Sequence, residues 1–317
     1  MNIESDGSSV VTYAYHPSES AGWAFVALFA GSTVAHIVLM FPYRSAFFIP
    51  MIIGGISSFT PPDPPDHAQL LIVLTHHLVE SGGYYGRVWS SHDPSNFKAY
   101  ILQVLLILAA PPIISASIYM ALSRIIKALD AAHHAIVSPR WTTALFMLGD
   151  IVAFCSQLAG AGMQATTSAS VRKTGGTVVT VGLFFHLALF SFFIVNTIVF
   201  HVRNSRNPSY LSGHPRVPSW RRRMYALYLA SAFIQVRNIV RIAEYIQGAD
   251  GFVMSHEVFI YLFDAALMWL AITIFVVVHP GKLIKKAKRA EKDMSSSGDG
   301  LLAMEARERT KGSETSE

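Results

Sequence analysis

The sequence predicts an all-α polytopic membrane protein, a seven-transmembrane-helix bundle with its N-terminus outside and its C-terminus cytosolic. Three observations predict it. Of 317 residues, 52% are hydrophobic and 14% charged, with a mean hydropathy of +0.39. A soluble domain of this length carries about 25% charge. Long apolar segments recur along the chain, each long enough to cross about 30 Å of hydrocarbon at about 1.5 Å per residue. The basic residues fall almost entirely on one of the two alternating sets of loops.

Residues 1–15 are polar and acidic, with no basic n-region, and read as a tail rather than a cleavable signal peptide. Residues 16–281 form the membrane domain. Spans are expected at about 22–41, 99–122, 141–163, 177–200, 224–247 and 256–278. A further span belongs between Arg44 and Ser90. There, residues 47–56 (FFIPMIIGGI) are too short to cross, and the prolines of SSFTPPDPPD cannot continue a helix. The run from His67 to Trp89 is long enough but carries His76, His77 and Glu80. Pro111-Pro112 predicts a kink in the third span, for which packing is the simplest reason. The short loops fit antiparallel neighbours. Residues 282–317 are rich in Ser, Gly and charge and are expected to be a disordered cytosolic tail.

With seven spans, one set of loops and the proximal tail holds 15 Lys and Arg, six of them between Arg203 and Arg223. The other set holds Lys98, Arg172 and Lys173. This asymmetry sets the orientation. The net charge of +5 is thereby a topology signal and a contact for anionic lipid headgroups at the Arg-rich loop, not a sign of nucleic acid. The single Cys155 excludes an intramolecular disulfide and a Cys-based zinc site.

The last two spans carry charges at helical spacing. Arg237, Arg241 and Glu244 share one face, and Glu257, Tyr261, Asp264 and Met268 share another. Charges inside a bilayer are costly and usually face the bundle interior at a functional site. By helix rise, Arg241 lies about 10 Å and Asp264 about 12 Å from the outer boundary, a matching depth at which they can pair. Arg237 is expected to reach Asp264 or Asp150. Glu80 and Arg87, seven residues apart, face one way, and Gln103, Gln157 and His186 add uncharged polar groups. Five acids (Glu80, Asp150, Glu244, Glu257, Asp264) against three arginines favour a ligand with a cationic head. The competing reading is that these groups only lock the helices together, although such polar contacts average about 0.6 kcal/mol.

Other chemistries fit poorly. No two of the 13 histidines are spaced HxxxH, and His36, His76, His77 and His186 do not form a His/Asp cluster at one depth. Residues 256–278 contain no Schiff-base lysine for retinal. The Gly160–Gly162 pair and Gly175-Gly176 are not phosphate loops but places where helices approach or end. No catalytic residue, metal or cofactor is expected.

Five stretches together resemble the fungal RTA-like, lipid-translocating exporter family of seven-span proteins, over about residues 13–280. They are ESGGYYGR (Glu80, Gly83, Tyr84, Arg87), Gln103 with APPIISASIY (Pro111, Ala116, Tyr119), FMLGDIVAFCSQLAGAG (Asp150, Gln157, Gly160, Gly162), VRNIVRIAEYIQG (Arg237, Arg241, Glu244, Gly248) and EVFIYLFDAALM (Glu257, Tyr261, Asp264, Met268), with a closing His279-Pro280. The resemblance implies export or flipping of lipid-like molecules such as sphingoid long-chain bases, and resistance to toxic amphiphiles. One branch is linked to porphyrin and haem movement. It also implies residence in the plasma membrane, with some members in internal membranes. His186 departs from the family's usual Gln, and Ala161 from a third Gly. In the family pattern a run like FFIPMIIGGI leads straight into one like ESGGYYGR. The 23 residues 57–79 therefore read as an unspliced intron, or else as a genuine loop insertion followed by an alternative span.

The expected function is translocation of amphiphilic lipids, of the long-chain-base or amino-sterol kind. The partners are membrane lipids and amphiphilic small molecules. A seven-span receptor or sensor of a lipid-like ligand shares the topology; it would change a cytosolic signal where a transporter changes ligand distribution. A membrane-embedded lipid hydrolase would need a metal or nucleophile triad that the sequence does not offer. Nothing in the sequence fixes oligomeric state.

Overall fold

The computed structural model describes residues 2–3, 10–11, 18–40, 66–93, 96–164, 166, 168–212, 220–248 and 251–277. Residues 47–65, Arg216, the His279-Pro280 pair and the tail from residue 282 lie outside the described residues, as does most of the segment 1–15. The second half of the questioned stretch 57–79 is described, as the start of a helix.

Apart from a two-residue antiparallel pairing of β1 (Asn2–Ile3) with β2 (Val10–Val11), the regular structure among the described residues is helical. Long helices run as α1 (Glu19–Met40), α2 (Asp66–His92), α3 (Phe97–Ala128), α4 (Pro139–Gln164), α5 (Ala169–Arg206) and α6 (Trp220–Gln247). A last helix, α7, opens with a turn at Glu257–Phe259, widens into a π-helical stretch at Ile260–Ala266 and continues as Leu267–Val277.

Local chemistry sets these boundaries. The Asn96 side chain caps α3 by accepting from the Lys98 and Ala99 amides. Pro139 occupies the first turn of α4, where its missing N–H costs nothing. Gly248 closes α6 at φ +74°, a conformation that a side chain resists, with its amide donating to the Glu244 carbonyl. Asn196 of α5 accepts from the Ile136 and Val137 amides and so pins the connection between α3 and α4.

Consecutive helices pack side by side, α7 returns against α1, and α3 also touches α6. The bundle is thus a closed ring with α3 on its inside. From Ile114 to Leu129, residues of α3 and its C-cap are buried almost all round, as expected of a central helix. Large apolar side chains stay exposed on the outer faces of α4 (Leu145, Leu148, Ile151, Val152) and α5 (Val181, Phe184, Phe185, Phe192, Val195). Stripes of that size on a single chain mark a surface made for an apolar solvent.

Among the described residues four helices are long and apolar enough to cross a membrane: Lys98–Ala128, Pro139–Gln164, Ala169–Arg206 and Glu257–Ile274. The protein is therefore an integral membrane protein by its helices. α2 and α6 carry charge along their length, Glu80 and Arg87 on one and Arg221, Arg222, Arg223, Arg237, Arg241 and Glu244 on the other, and this sets them apart on apolarity alone.

α4 and α5 approach most closely where Gly160 faces Gly175. A Cβ on Gly160 would stand 2.7 Å from the Gly175 carbonyl oxygen, and one on Gly175 2.6 Å from the Gly160 carbonyl oxygen. Gly162 and Gly176 face open space. Of the two glycine pairs, one member of each makes the contact. Gly160→Ala is expected to cost roughly 1–3 kcal/mol, because backbone cannot yield to the added methyl. Gly162→Ala should be neutral. Thermal unfolding of the two purified variants in detergent checks this, and equal melting temperatures would contradict it.

Candidate functional site

The polar residues of α2, α6 and α7 meet at one end of the bundle in two tiers. In the first, Arg87 of α2 donates from Nε to the Tyr261 hydroxyl and from its terminal nitrogen to Glu257 Oε1, both at 2.9 Å. Its guanidinium also lies 5.1 Å from the centre of the Tyr261 ring. Glu257 Oε1 accepts in addition from the Ser18 amide at 2.7 Å, and the Tyr261 hydroxyl lies 3.3 Å from the Ser18 carbonyl. This tier ties the start of α1 to α2 and α7.

In the second tier Asp264 of α7 is gripped by two arginines of α6. Arg241 donates to Asp264 Oδ2 at 2.9 Å, and Arg237 Nε pairs with Asp264 Oδ1. The other arm of Arg241 reaches both oxygens of Glu244, at 3.2 and 3.0 Å. Glu80, buried on α2, lies within electrostatic range of Asp264, Arg237 and Arg241 and 3.9 Å from His76.

Pro111 contributes to this tier from a distance in sequence. Proline lacks the N–H that would bond the carbonyl four residues earlier, which here is Ile107. That carbonyl accepts from Arg237 at 3.3 Å. α3 stays helical through Pro111-Pro112. The proline pair therefore frees an acceptor for a buried guanidinium as well as shaping the helix, a re-use of backbone that membrane helices tolerate when a partner is present.

An aromatic wall lines the tiers. Phe25 stacks on Tyr261 with ring centres 5.4 Å apart, and Tyr84 lies 5.5 Å from Phe25 and 5.9 Å from Phe29. The π-helical stretch carries both Tyr261 and Asp264. Its wider turn is a departure often found where side chains are positioned for function.

The eleven residues selected from the sequence divide unequally. Glu80, Arg87, Arg237, Arg241, Glu244, Glu257, Tyr261 and Asp264 come together. Gln103 lies buried at the α2–α3 crossing, where Gly86 packs against its backbone, and Gln157 is buried beside Gly182 of α5. Asp150 is apart from the arginines: it accepts from Tyr119 and faces His186. The alternative that Arg237 reaches Asp150 is not realised. The balance in the cluster is thus four acids to three bases, not five to three. Phe263 stacks on Phe259 of its own helix, and Tyr245 packs with Val179, Leu183 and Ile242. Sequence spacing missed the Ser18 backbone, a contact that carries no side-chain signal, and the partnership of Tyr119 and His186 with Asp150, which links three helices. Among the described residues no three His, Cys, Asp or Glu side chains converge as a metal site.

Comparison with known proteins identifies relatives of the chain. The family model described as "RTA1 like protein" matches residues 73–287. The chain is 36% identical over 283 residues to protoporphyrin uptake protein 1 of Saccharomyces cerevisiae, covering 85% of this chain and 92% of that protein. It is 35% identical to protein RTA1 of Saccharomyces cerevisiae, over 84% of each. It is 25% identical to the sphingoid long-chain base transporter RSB1 of the same species, over 66% of this chain and 63% of that protein. No solved structure matches.

Asp264→Ala leaves two buried guanidinium groups without their shared carboxylate, at an expected cost of roughly 3–5 kcal/mol by analogy with broken buried pairs. Adding Arg237→Met removes one stranded cation and should recover part of that loss. Thermal unfolding of the single and double variants measures it, and a double variant no more stable than the sum of the singles would show that Arg237 and Asp264 are not coupled.

Proposed function

Because the chain belongs to the RTA1-like family, we propose that it is a seven-span translocator of amphiphilic, lipid-like molecules with a cationic head. In this role it protects the cell from toxic amphiphiles. The relatives are named as transporters or uptake proteins and not as enzymes. The substrate class we assign here is the protonated long-chain base or amino-sterol.

The observation that carries the reading is the unequal exposure of the charges. The side chain of Arg87 is 1% exposed, while that of its partner Glu257 is 20% exposed; Glu244 is 18% exposed. Arg87 and Arg237 lie on the inner side of the cluster with Asp264 and Glu80, while Glu257 and Glu244, with Arg241 beside them, reach its open side, where an ammonium group would meet these two acids. The acids also outnumber the bases by one. The partly exposed rings of Phe25 and Tyr261, stacked on each other, would border an acyl chain beside that head.

In this reading, which the basic asymmetry supports, the N-terminus and the charged cluster lie on the extracytoplasmic side and the tail in the cytosol. The plasma membrane is the proposed location. The arginines at the facing ends of α5 and α6, Arg203, Arg206, Arg221 and Arg222, would contact anionic headgroups of the cytosolic leaflet. A C-terminal tag should be protected from added protease in intact cells and cleaved after permeabilisation; cleavage in intact cells would reverse the orientation.

Glu257→Gln and Glu244→Gln keep the side-chain shape and remove the charge. The loss of one charged contact is worth about 1.5–3 kcal/mol, roughly tenfold or more in affinity. Cells carrying either variant are expected to become more sensitive to cationic amphiphiles, with less change towards neutral ones. Growth at matched protein levels measures this. Equal loss of resistance to both kinds would assign these carboxylates to structure instead of recognition.

A further inference from the structure

A second buried polar group lies apart from the arginine cluster. Tyr119 of α3, Asp150 of α4 and His186 of α5 meet inside the bundle, none more than 3% exposed. The Tyr119 hydroxyl donates to Asp150 Oδ2 at 2.9 Å, and His186 Nε2 lies 3.3 Å from Asp150 Oδ1. The rings of Phe146, Phe190 and Phe193 pack around Tyr119, and Phe190 also lies against His186. Asp150 and His186 each sit near the middle of a membrane-spanning helix.

A carboxylate at such depth requires a positive partner or a proton. In the outer cluster the partners are arginines, which remain charged at any physiological pH. Here the basic partner is a histidine, the side chain that gains and loses a proton near neutrality. The neighbouring elements supply no fixed cation to Asp150 among the described residues. From α3, Tyr119 is a neutral donor, and Arg124 lies more than a turn further along that helix. From α6, Arg237 and Arg241 are held by Asp264 and Glu244, and Tyr245 packs with Val179, Leu183 and Ile242. The ionisable side chains that face Asp150 among the described residues are thus Tyr119 and His186.

We propose that the Tyr119–Asp150–His186 group is a proton-binding site, and that the protein exchanges a proton for the cationic amphiphile it moves. The proposal rests on the transport reading above. A bound proton and a bound ammonium head each add a positive charge to one low-dielectric interior, where like charges oppose each other. Occupancy of the inner group and of the outer cluster therefore alternate. The proton that enters as the amphiphile leaves balances the charge, and no other co-reactant is required.

The test uses the full-length protein in phosphatidylcholine vesicles with a pH-sensitive dye inside. The probe is NBD-labelled N,N,N-trimethylsphingosine, whose fixed charge carries no proton of its own. Its passage between leaflets is read by dithionite quenching. The wild type is expected to move protons in the direction opposite to the probe. In His186→Gln, which keeps a polar side chain but cannot titrate, proton movement per probe should fall at least about tenfold, while the probe still crosses. Probe movement by the wild type with no proton movement overturns the proposal and leaves the transport reading standing. Undiminished proton coupling in His186→Gln also overturns it. A wild type that moves no probe overturns the transport reading itself, and the exchange with it.

Discussion

The grip of Arg237 and Arg241 on Asp264 is the constraint on which the rest of the bundle depends. It joins α6 to α7 inside a medium where an unpaired charge is far more costly than in water. Two guanidinium groups share one carboxylate, so each needs a second acceptor. Arg241 finds it in Glu244, and Arg237 in the Ile107 carbonyl. That carbonyl is available because Pro111 cannot bond to it. The central helix is thereby tied to the charged pair without giving up a side chain. The first tier is built on the same logic, with Arg87 held by Glu257 and Tyr261, and Glu257 in turn holding the start of α1.

The consequence for recognition is a division between sides. Arg87 and Arg237 are enclosed with Asp264 and Glu80; Glu257, Glu244 and Arg241 reach the open edge. A site made this way keeps its shape when a cation approaches, since the cation meets groups whose structural partners lie behind them. The π-helical stretch of α7 matters here because it carries both Tyr261 and Asp264, one for each tier. A ligand that disturbs either tier acts on the same stretch of helix, and through Glu257 on Ser18 at the start of α1.

Much of this was legible in the sequence, and the reason is helical periodicity. Arg237, Arg241 and Glu244, and likewise Glu257, Tyr261 and Asp264, repeat at a spacing that puts them on one face, and helix rise alone gave Arg241 and Asp264 matching depth. The failures have physical causes too. Asp150 was grouped with the arginines because depth was known and azimuth was not; its true partners, Tyr119 and His186, lie on two other helices. The proline pair in α3 gave the expectation of a kink, whereas its consequence for Arg237 required knowing which helix stands opposite Ile107. Ser18 acts through its backbone, which no residue pattern marks. Gly160 and Gly175 make the close approach expected of the glycines, and only the packing of α4 on α5 distinguishes them from Gly162 and Gly176, which face open space. The junction before Glu80 remains a proposal about the gene as much as about the protein: excision of residues 57–79 would join the FFIPMIIGGI run to the helix that carries Glu80 and Arg87. A transcript that retains the segment at high frequency would rule that out.

The central claim is that the arginine cluster, with Glu244 and Glu257 at its open edge, serves the movement of a cationic amphiphile across the membrane. The most direct test loads cells with a radiolabelled sphingoid long-chain base and follows its release into the medium, in cells with and without the protein. The account predicts faster release from cells that contain it, with no such difference for a neutral lipid of equal chain length. Equal release of the long-chain base from both kinds of cell would contradict it.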